Sequence, residues 1–335
     1  MTATTSRSLA TAIEERLLVP AYASRWHLAS VVAHRSLAFP LQLTGQLRRR
    51  TVRSNGESLK LVEIGREKLI RPLGSRWFGD LPSAVEESRR ALWMPGALVE
   101  ESGADLVLAE VHRWIAPRFR DAGWIIVPSC VRWWGDLAAS PPAPPSHGLR
   151  DNLRKVRKYG YTLRQAGSPA DWEAFHSSMV LPQAVARHGE TAWIPSRHYI
   201  AALARIGILH LVMRGEEPVA GICTVARGDS LWLALSGVRN GDPELLRQGA
   251  GFATLALAIG WAKGKGFRQL DAGRTGPFLN DGVQRLKRSW GLEPVVDPLA
   301  RVIAVWVGSG AAQRALAREP VLVEQQFGIQ PFCGE

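Results

Sequence analysis

One continuous segment in the second half of the sequence constrains the fold more than any other. Three strand-like apolar runs lie at residues 208–215, 216–228 and 229–238, with glycine-containing turns between them. Such turns predict two β-hairpins and therefore an antiparallel meander of three strands. A long apolar helix and a further strand follow at residues 252–263 and 267–271, so the meander is predicted to continue into a strand–helix–strand unit.

The other segments alternate between strand-like and helix-like patterns. Strand, helix and strand are predicted in that order at residues 104–133, where Pro117 is expected to break the helix. Further elements are predicted as a helix at 8–18, two strands around a glycine turn at 59–70, a helix at 82–93, a basic helix ending at Gly160, helices at 171–189 and after Pro195, a last strand at 300–307 and a helix at 309–319. This alternation predicts a mixed α/β (α+β) chain, with mostly antiparallel central sheets flanked by helices.

A proline-rich segment at residues 140–146 predicts a domain boundary. Its sequence, SPPAPPS, has four prolines, and such a segment is stiff and extended. A chain of 335 residues is long enough for two domains of ordinary size, each with its own core. We therefore expect an N-terminal domain at residues 1–145 and a C-terminal domain at residues 146–335.

The composition is basic, with 42 Lys and Arg against 30 Asp and Glu and a formal net charge of +12. This excess fits a polyanionic partner, such as RNA, an anionic membrane surface or a phosphorylated substrate, or charge spread evenly over the surface. The three cysteines are far apart, as expected of reduced thiols, and neither they nor the eight histidines have the spacing of a metal site. No signal peptide or membrane-spanning run is recognised, so we expect a cytoplasmic protein without a metal.

A strongly basic helix is predicted directly after the proline-rich segment. Leu149, Leu153 and Val156 have the spacing of one apolar face. The other faces carry cations, among them Arg150, Arg154, Lys155 and Lys158. Such a surface is either solvated or a contact surface for RNA or other phosphates.

The order of elements after the boundary resembles that of GNAT-type acyltransferases. In that fold a glycine-containing turn opens the helix after the meander, where backbone N–H groups and the helix dipole favour a phosphate. Arg247, Gly249 and Gly251 occupy this position. The glycines match the usual pattern of Gln or Arg, two residues and then Gly-x-Gly or Gly-x-Ala, whereas Arg247 lies one residue late. A turn that serves only helix packing would have the same sequence.

A more specific resemblance lies between Asp271 and Gly291. The stretch DAGRTGPFLNDGVQRLKRSWG is similar to the C-terminal signature of the Fem-like branch of this superfamily, the peptidoglycan-bridge aminoacyltransferases and their acyltransferase relatives. That pattern reads Asp-x-Gly-Arg or Ser, a short loop, and then Phe-Lys-x-x-Phe or Trp-Gly; here Leu286 replaces the Phe. The resemblance runs from Leu149 to the end of the chain. It implies two GNAT-like domains in tandem, the first a degenerate copy on the acceptor side.

The resemblance also implies roles for individual residues. Lys287 matches a lysine near the reactive end or phosphate of the donor, where a fixed cation stabilises charge on the carbonyl oxygen; at the margin of an apolar stripe its amine reaches a cleft or returns to water. Asp271 is a general base or caps the following turn. Arg274 clamps a phosphate or carboxylate, or makes a surface ion pair. Trp232 and Ser236 face the donor, although core packing explains Trp232 equally well.

We therefore expect a Fem-like N-acyltransferase that transfers an aminoacyl group from aminoacyl-tRNA to an amine. The acceptor would be a cell-envelope or secondary-metabolite compound, either a small molecule or lipid-linked, and the second case would bring the protein to a membrane surface. Aminoacyl-tRNA fits the net charge and the basic helix, whereas acyl-CoA fits the turn at Gly249 and Gly251. Either donor would be a co-substrate, with no tightly bound cofactor. The remaining alternative is a non-catalytic protein that binds RNA or a membrane surface on the same fold.

Overall fold

The computed structural model describes residues 43–54, 56–141, 145–189, 194–298, 300–326 and 328–333, together with Ser36 and Phe39. The helix predicted at residues 8–18 lies outside these ranges, as does the middle of the proline-rich segment. Elements are numbered below over the described residues only.

The described chain contains strands and helices in alternation. The strands are β1 (Thr44–Ser54), β2 (Glu57–Ile64), β3 (Val85–Ala91), β4 (Leu106–Val111), β5 (Ile125–Pro128), β6 (Val131–Asp136), β7 (Tyr161–Ala166), β8 (Ile208–Arg214), β9 (Glu217–Arg227), β10 (Ser230–Val238), β11 (Gln269–Thr275), β12 (Glu293–Val295), β13 (Val302–Val307), β14 (Val321–Gln325) and β15 (Gly328–Phe332). The helices are α1 (Glu67–Phe78), α2 (Pro95–Ser102), α3 (Ala116–Asp121), α4 (His147–Lys158), α5 (Pro169–Ala174), α6 (Leu181–His188), α7 (Arg197–Ile206), α8 (Pro243–Arg247), α9 (Ala250–Gly264), α10 (Gly282–Ser289) and α11 (Gly310–Arg318), with a π-helical turn (Phe175–Val180) linking α5 to α6.

The chain divides into two compact units. Over the described residues, the central unit consists of residues 133–273 and 286–293, and the flanking unit consists of the remaining residues up to 132, residues 274–285 and residues from 294 onward. The units differ from the contiguous ranges 1–145 and 146–335 expected from the sequence, because segments from both ends of the chain build the flanking unit. An acceptor role for the first half of the chain stays a prediction.

The predicted meander forms the middle of a seven-stranded sheet with the order β12-β6-β11-β10-β9-β8-β7. Strands β7, β8, β9 and β10 pair antiparallel in succession, and the two predicted hairpins join β8 to β9 and β9 to β10. Strand β11 runs parallel to β10. The helix between the two parallel strands is α9, whose residues are mostly buried because it covers one face of the sheet. The mixed, mostly antiparallel sheet predicted from the sequence is confirmed.

On the opposite face of this sheet, the π-helical turn packs against two paired glycines. Gly221 of β9 and Gly237 of β10 are direct partners in the register. A Cβ atom on Gly237 would lie 2.6 Å from the backbone carbon of Met179, and one on Gly221 would lie 2.7 Å from the Phe175 ring. Only glycines therefore admit this turn, beside which Trp172 and other apolar side chains complete the core.

The flanking unit contains a six-stranded sheet with the order β3-β1-β2-β4-β13-β5. Strand β13, from near the end of the chain, lies antiparallel between β4 and β5, and every residue of β4 is buried. A buried ion pair of 2.9 Å joins Arg50 of β1 to Glu63 of β2. A second mixed sheet flanked by helices agrees with the predicted fold class.

Three sequence predictions are wrong in the flanking unit. The segment 59–70, predicted as two strands, is the end of β2 followed by α1, because Gly65 at a φ of +135° turns the chain into a helix rather than a hairpin. The helix predicted at 82–93 is strand β3, since pairing with β1 overrides its helical pattern. Pro117 lies in the first turn of α3, where its missing N–H costs nothing, and does not break the helix. The hairpin of β14 and β15 was not predicted.

Two negative findings apply to the described residues alone. None of their helices combines the length and the apolar character needed to cross a bilayer. None of their His, Cys, Asp and Glu side chains form a group of three suited to a metal ion.

Candidate active site

The site lies at the edge of the central sheet where the parallel strands β10 and β11 end. Helix α9 connects them, so the end of each strand and the start of the helix that follows β10 come to one edge. The two strands pair only at Ser230–Trp232 and Gln269–Asp271. Strand β10 then continues to Val238, with a register shift against β9 between Leu233 and Leu235. A bulge re-aims the strand where its pairing with β11 ends, at Trp232 and Asp271.

The N-terminus of α9 faces this edge. Gly249 caps the helix with a φ of +91°, a conformation that favours glycine, and its carbonyl accepts a hydrogen bond from the Ala253 N–H at 2.8 Å. The first turn contains no acidic residue. Its leading N–H groups have no acceptor within the helix, so the positive end of the helix dipole is available to an anion. The turn predicted from Gly249 and Gly251 is therefore formed.

The basic helix α4 lies against this turn. The Lys155 ammonium donates to the Arg247 carbonyl at 3.1 Å, and a Cβ atom on Gly249 would lie 3.4 Å from the Lys155 Cβ. Leu149 and Val156 are buried on the opposite side of α4. Arg150, Arg154 and Lys158 are exposed, and no ion pair is found for them among the described residues.

Lys287 is buried beside the end of β11, with 6% of its surface exposed. Its ammonium donates to the Gly273 carbonyl at 3.3 Å, so it points toward the strand end and not back to water. Three residues further on, the buried Trp290 packs against Phe252 of α9, with ring centroids 5.8 Å apart. This contact places the end of α10 beside the first turn of α9. It brings the two parts of the site that the sequence predicted separately into one neighbourhood.

Asp271 is fully buried and forms hydrogen bonds through both carboxylate oxygens. One oxygen accepts from the Gly273 N–H at 3.0 Å, the local contact that a capping role requires, although β11 does not end at Asp271 and continues to Thr275. The other lies 3.3 Å from the Arg227 guanidinium. Trp232 is 8% exposed and belongs to the core, with the Arg227 guanidinium 4.3 Å from the centroid of its ring.

The remaining predicted site residues are less closely engaged. Ser236 is exposed beyond the bulge of β10. Arg247 is exposed at the end of α8 and forms a hydrogen bond with Glu244, which lowers the pKa of that carboxyl. Arg274 belongs to the flanking unit, where its guanidinium pairs with the buried Asp297. The alternative role predicted for Arg274 was a surface ion pair. An ion pair is formed, but its partner Asp297 is buried. The functional roles of these residues stay predictions.

Sequence reasoning missed Arg227 and Phe252. The sequence predicted Arg227 only as part of a hairpin turn. It lies two residues after Val225, which is the register partner of Trp232. Residues two apart share a face of a strand, so the register of the meander would have revealed this neighbourhood. No local signal identifies the contact of Phe252 with Trp290, because 38 positions separate them in the sequence.

The arrangement suits transfer of an acyl group from an anionic donor. The helix N-terminus and Lys155 supply positive charge for a phosphate, and Lys287 supplies a buried cation at the strand end.

Comparisons with known proteins show what the chain is similar to. Residues 146–288 match a family model described as Acetyltransferase (GNAT) domain, which confirms the predicted GNAT resemblance. Solved structures with some similarity are L-PGS from Bacillus licheniformis, 14% identical with a TM-score of 0.41 over 86% of this chain and 93% of that chain, and FemX, 12% identical with a TM-score of 0.40 over 84% and 90%. A third is the C-terminal domain of a putative lysylphosphatidylglycerol synthetase from Agrobacterium fabrum, 13% identical with a TM-score of 0.40 over 87% and 95%. No curated protein sequence matches this chain significantly. The similarity to a GNAT acetyltransferase domain therefore extends over residues 146–288.

Proposed function

We propose that this protein transfers an aminoacyl group from aminoacyl-tRNA to an amine of a cell-envelope or secondary-metabolite acceptor. The observation that carries the choice of donor is the contact of Lys155 with the Arg247 carbonyl, because it joins the basic helix to the N-terminus of α9. An anion at that N-terminus would have the cations of α4 as neighbours.

The cations of α4 form a broad stripe. At about 100° per residue, Arg150, Arg154 and Lys158 fall within roughly 80° of one another, and Lys155 lies about 60° further round, toward α9. The buried residues Leu149 and Val156 occupy the opposite side. A small donor needs one or two phosphate contacts, whereas a stripe along a helix of 12 residues suits a polyanionic backbone.

The proposed reaction is aminolysis of an ester. The acceptor nitrogen forms a C–N bond to the carbonyl carbon of the aminoacyl ester, and the C–O bond to the terminal ribose breaks. The amine loses one proton and the leaving ribose oxygen takes up one, with solvent carrying the proton between them. Lys287 would stabilise the negative charge on the carbonyl oxygen, a contribution of about 2.7–4 kcal/mol for a fixed donor in such a site.

Salt-dependent binding tests the donor assignment. We expect aminoacyl-tRNA to bind with an affinity that falls steeply as salt rises, since each phosphate contact changes the slope of log K against log salt by about 0.7–0.9. Replacing Arg150, Arg154 and Lys158 by Gln should reduce that slope by roughly 2–3. The matched control replaces Lys263, Lys265 and Arg268, three exposed cations at or beyond the other end of α9, by Gln.

An equal loss of slope in the two triple variants would contradict the assignment, since the effect would then follow net charge rather than position. Binding that is insensitive to salt would contradict it as well. The catalytic step is tested separately, by the passage of radiolabel from aminoacyl-tRNA into a stable amide in a pool of amine acceptors.

A second candidate donor, acyl-CoA, is favoured by one observation. The glycine turn at Gly249 and Gly251 opens α9, and the N–H groups of a helix N-terminus are suited to a pyrophosphate. If CoA binds there, a concentration 100 times its dissociation constant should stabilise the protein by about 2.7 kcal/mol and raise its melting temperature. An unchanged melting temperature with millimolar acetyl-CoA would leave aminoacyl-tRNA as the proposed donor.

A further inference from the structure

We propose that Arg227 is a positioning residue for Lys287, and that it acts through Asp271 and Gly273. The proposal rests on the proposed function for its catalytic meaning, since Lys287 is the cation assigned to the carbonyl oxygen. The chain of contacts itself is a property of the fold and can be tested without a substrate.

The first contact joins Arg227 to Asp271 across two strands. Val225, Trp232 and Asp271 are register partners on β9, β10 and β11, and therefore share a face of the sheet. Arg227 lies two residues beyond Val225 and is on the same face. Its side chain crosses the Trp232 ring at 4.3 Å and reaches the Asp271 carboxylate at 3.3 Å. The stacking on the ring fixes the guanidinium plane, so the direction of the contact is defined.

The second contact fixes the backbone at the end of β11. The other Asp271 oxygen accepts the Gly273 N–H at 3.0 Å. Gly273 has a φ of +71°, and a Cβ atom there would lie 3.1 Å from the Leu233 carbonyl oxygen. The carboxylate thus holds Gly273 in this conformation within β11, just beyond the last residue that pairs with β10. A fully buried carboxylate is costly without a partner, and Arg227 supplies the opposite charge.

The third contact ends on the amine. The Gly273 carbonyl accepts from the Lys287 ammonium at 3.3 Å. The orientation of that carbonyl depends on the turn that Asp271 caps, and the turn depends on a carboxylate that Arg227 holds. Arg227 thereby sets the position of the Lys287 ammonium without touching it or the donor.

Competitive labelling of lysines tests the relay without any substrate. Trace acetic anhydride is applied to the folded protein, and the labelling of Lys287 is compared with that of the exposed Lys263 by mass spectrometry. We expect Arg227→Gln to raise the ratio of Lys287 to Lys263 labelling by about fivefold, because a loosened turn opens more often. Arg227→Lys should restore most of the difference, and Asp271→Asn should give an intermediate ratio. Arg164 lies on β7 of the same sheet, and its exposed side chain contacts Asp171 of α5. Arg164→Gln removes this contact and should leave the ratio unchanged.

A ratio within about twofold of wild type in both Arg227→Gln and Asp271→Asn would overturn the relay. If Arg227→Gln does not fold, as judged by circular dichroism, the outcome for Arg227→Lys and Asp271→Asn decides. In that case unchanged labelling of Lys287 in both variants would overturn it.

A double-mutant cycle then tests the catalytic meaning. Arg227→Gln should lower kcat about tenfold in the wild-type background, and by less than about twofold in a Lys287→Ala background, with KM for aminoacyl-tRNA little changed. Equal losses of kcat in the two backgrounds would overturn action through Lys287. Absence of transfer by the wild-type protein with either donor would refute the proposed function instead, and the labelling result would still decide the relay.

Discussion

Each unit contains a pair of parallel strands followed by a helix, and the two pairs end differently. In the flanking unit, β2 and β4 pair from Leu61 to Ile64, the last residue of β2. The edge beyond them is filled, since a Cβ atom on Gly65 would lie 2.6 Å from the Glu110 Cβ. In the central unit, β10 and β11 separate after three pairs, and β10 runs on for six residues. The flanking pair stays together to the end of β2, whereas the central pair separates well before the end of β10.

The helices after these strands, α1 and α9, also differ in the charge at their N-termini. Helix α1 begins after Arg66, has Glu67 in its first turn, and has the Glu110 carboxylate at its start, where it accepts from the Arg66 N–H at 3.0 Å. Helix α9 begins with Gly249 and has no acid in its first turn, while Lys155 lies against it. The flanking helix therefore neutralises its own dipole, whereas the central helix leaves it for a ligand. The difference supports the proposal that the anionic donor binds to the central unit.

The largest expected effect separates the cations at the two edges. Lys287→Ala should lower kcat by about 10²–10³, since a fixed cation on the carbonyl oxygen is worth about 2.7–4 kcal/mol, while the melting temperature stays close to wild type. Arg66→Ala leaves the buried Glu110 without its ion pair, so it should lower the melting temperature and leave kcat unchanged. Transfer of label from aminoacyl-tRNA measures the first effect and thermal unfolding the second.

Full activity of Lys287→Ala would remove Lys287 from the site and with it the functional difference between the two edges. Arg285→Ala, on an exposed position of the same helix, is the control for a lost cation.

The second effect concerns buried histidines. His210 of the central unit is fully buried, and burial lowers its pKa from 6.5 to about 4. The unfolded chain thus takes up a proton near pH 6.5, and the folded chain only near pH 4. Stability is present above pH 6.5 and falls as the pH is lowered toward 4, by about 3 kcal/mol at 1.4 kcal/mol per pH unit. Chemical denaturation at a series of pH values measures this loss.

His210→Phe should flatten this pH dependence, because the titrating group is removed while an aromatic ring remains against Trp261. The control is His147→Gln, which removes an exposed histidine of α4 and should leave the acid limb unchanged. In the flanking unit the buried His112 accepts a hydrogen bond from the Trp114 N–H, and hydrogen exchange on β4 and β9 reports on the two units separately. Protection on β9 that does not fall between pH 6.5 and 4 would contradict the prediction.

The central unit follows from the sequence better than the flanking unit, for a physical reason. Its meander has glycine turns between apolar runs, and both hairpins form where such turns occur. The element order then places Gly249 at the start of α9 and Asp271 in β11, although the strand predicted to end at Asp271 continues to Thr275. In the flanking unit, β13 pairs with β4 from 191 or more positions away in the sequence, and no local pattern encodes such a pairing. The register of Arg227 with the neighbours of Asp271 was hidden in the same way, since it depends on three strands together.

Burial was the other property that local patterns left open. A helical wheel places Lys287 at the margin of an apolar stripe, from which a lysine can return to water. The structure buries it because the Gly273 carbonyl accepts its ammonium and Trp290 packs on α9 beside it. Contacts with residues distant in the sequence therefore determine that the Lys287 side chain is buried and does not return to water.

The smallest effect is expected from exchanging the charge of the two first turns. Gly251→Asp would give α9 the acid that Glu67 gives α1. A Cβ atom at Gly251 would lie 3.2 Å from the terminal carbon of the exposed Leu246 side chain, which can move aside. The acid interacts favourably with the helix dipole by about 0.3–1 kcal/mol, so the melting temperature should rise slightly. Donor affinity should fall about tenfold, corresponding to about 1.4 kcal/mol, because a carboxylate then occupies the anion position.

The opposite signs of these two effects distinguish a ligand site from a structural turn. A variant that merely disturbed α9 would lose stability and affinity together. Glu67→Gln, the reciprocal change in α1, should lower the melting temperature slightly and leave donor affinity unchanged, because that helix start is already occupied by the Glu110 carboxylate. If Gly251→Asp binds aminoacyl-tRNA and CoA as tightly as wild type does, then the open N-terminus of α9 is a packing feature like that of α1, and the cations of α4 alone must account for donor binding.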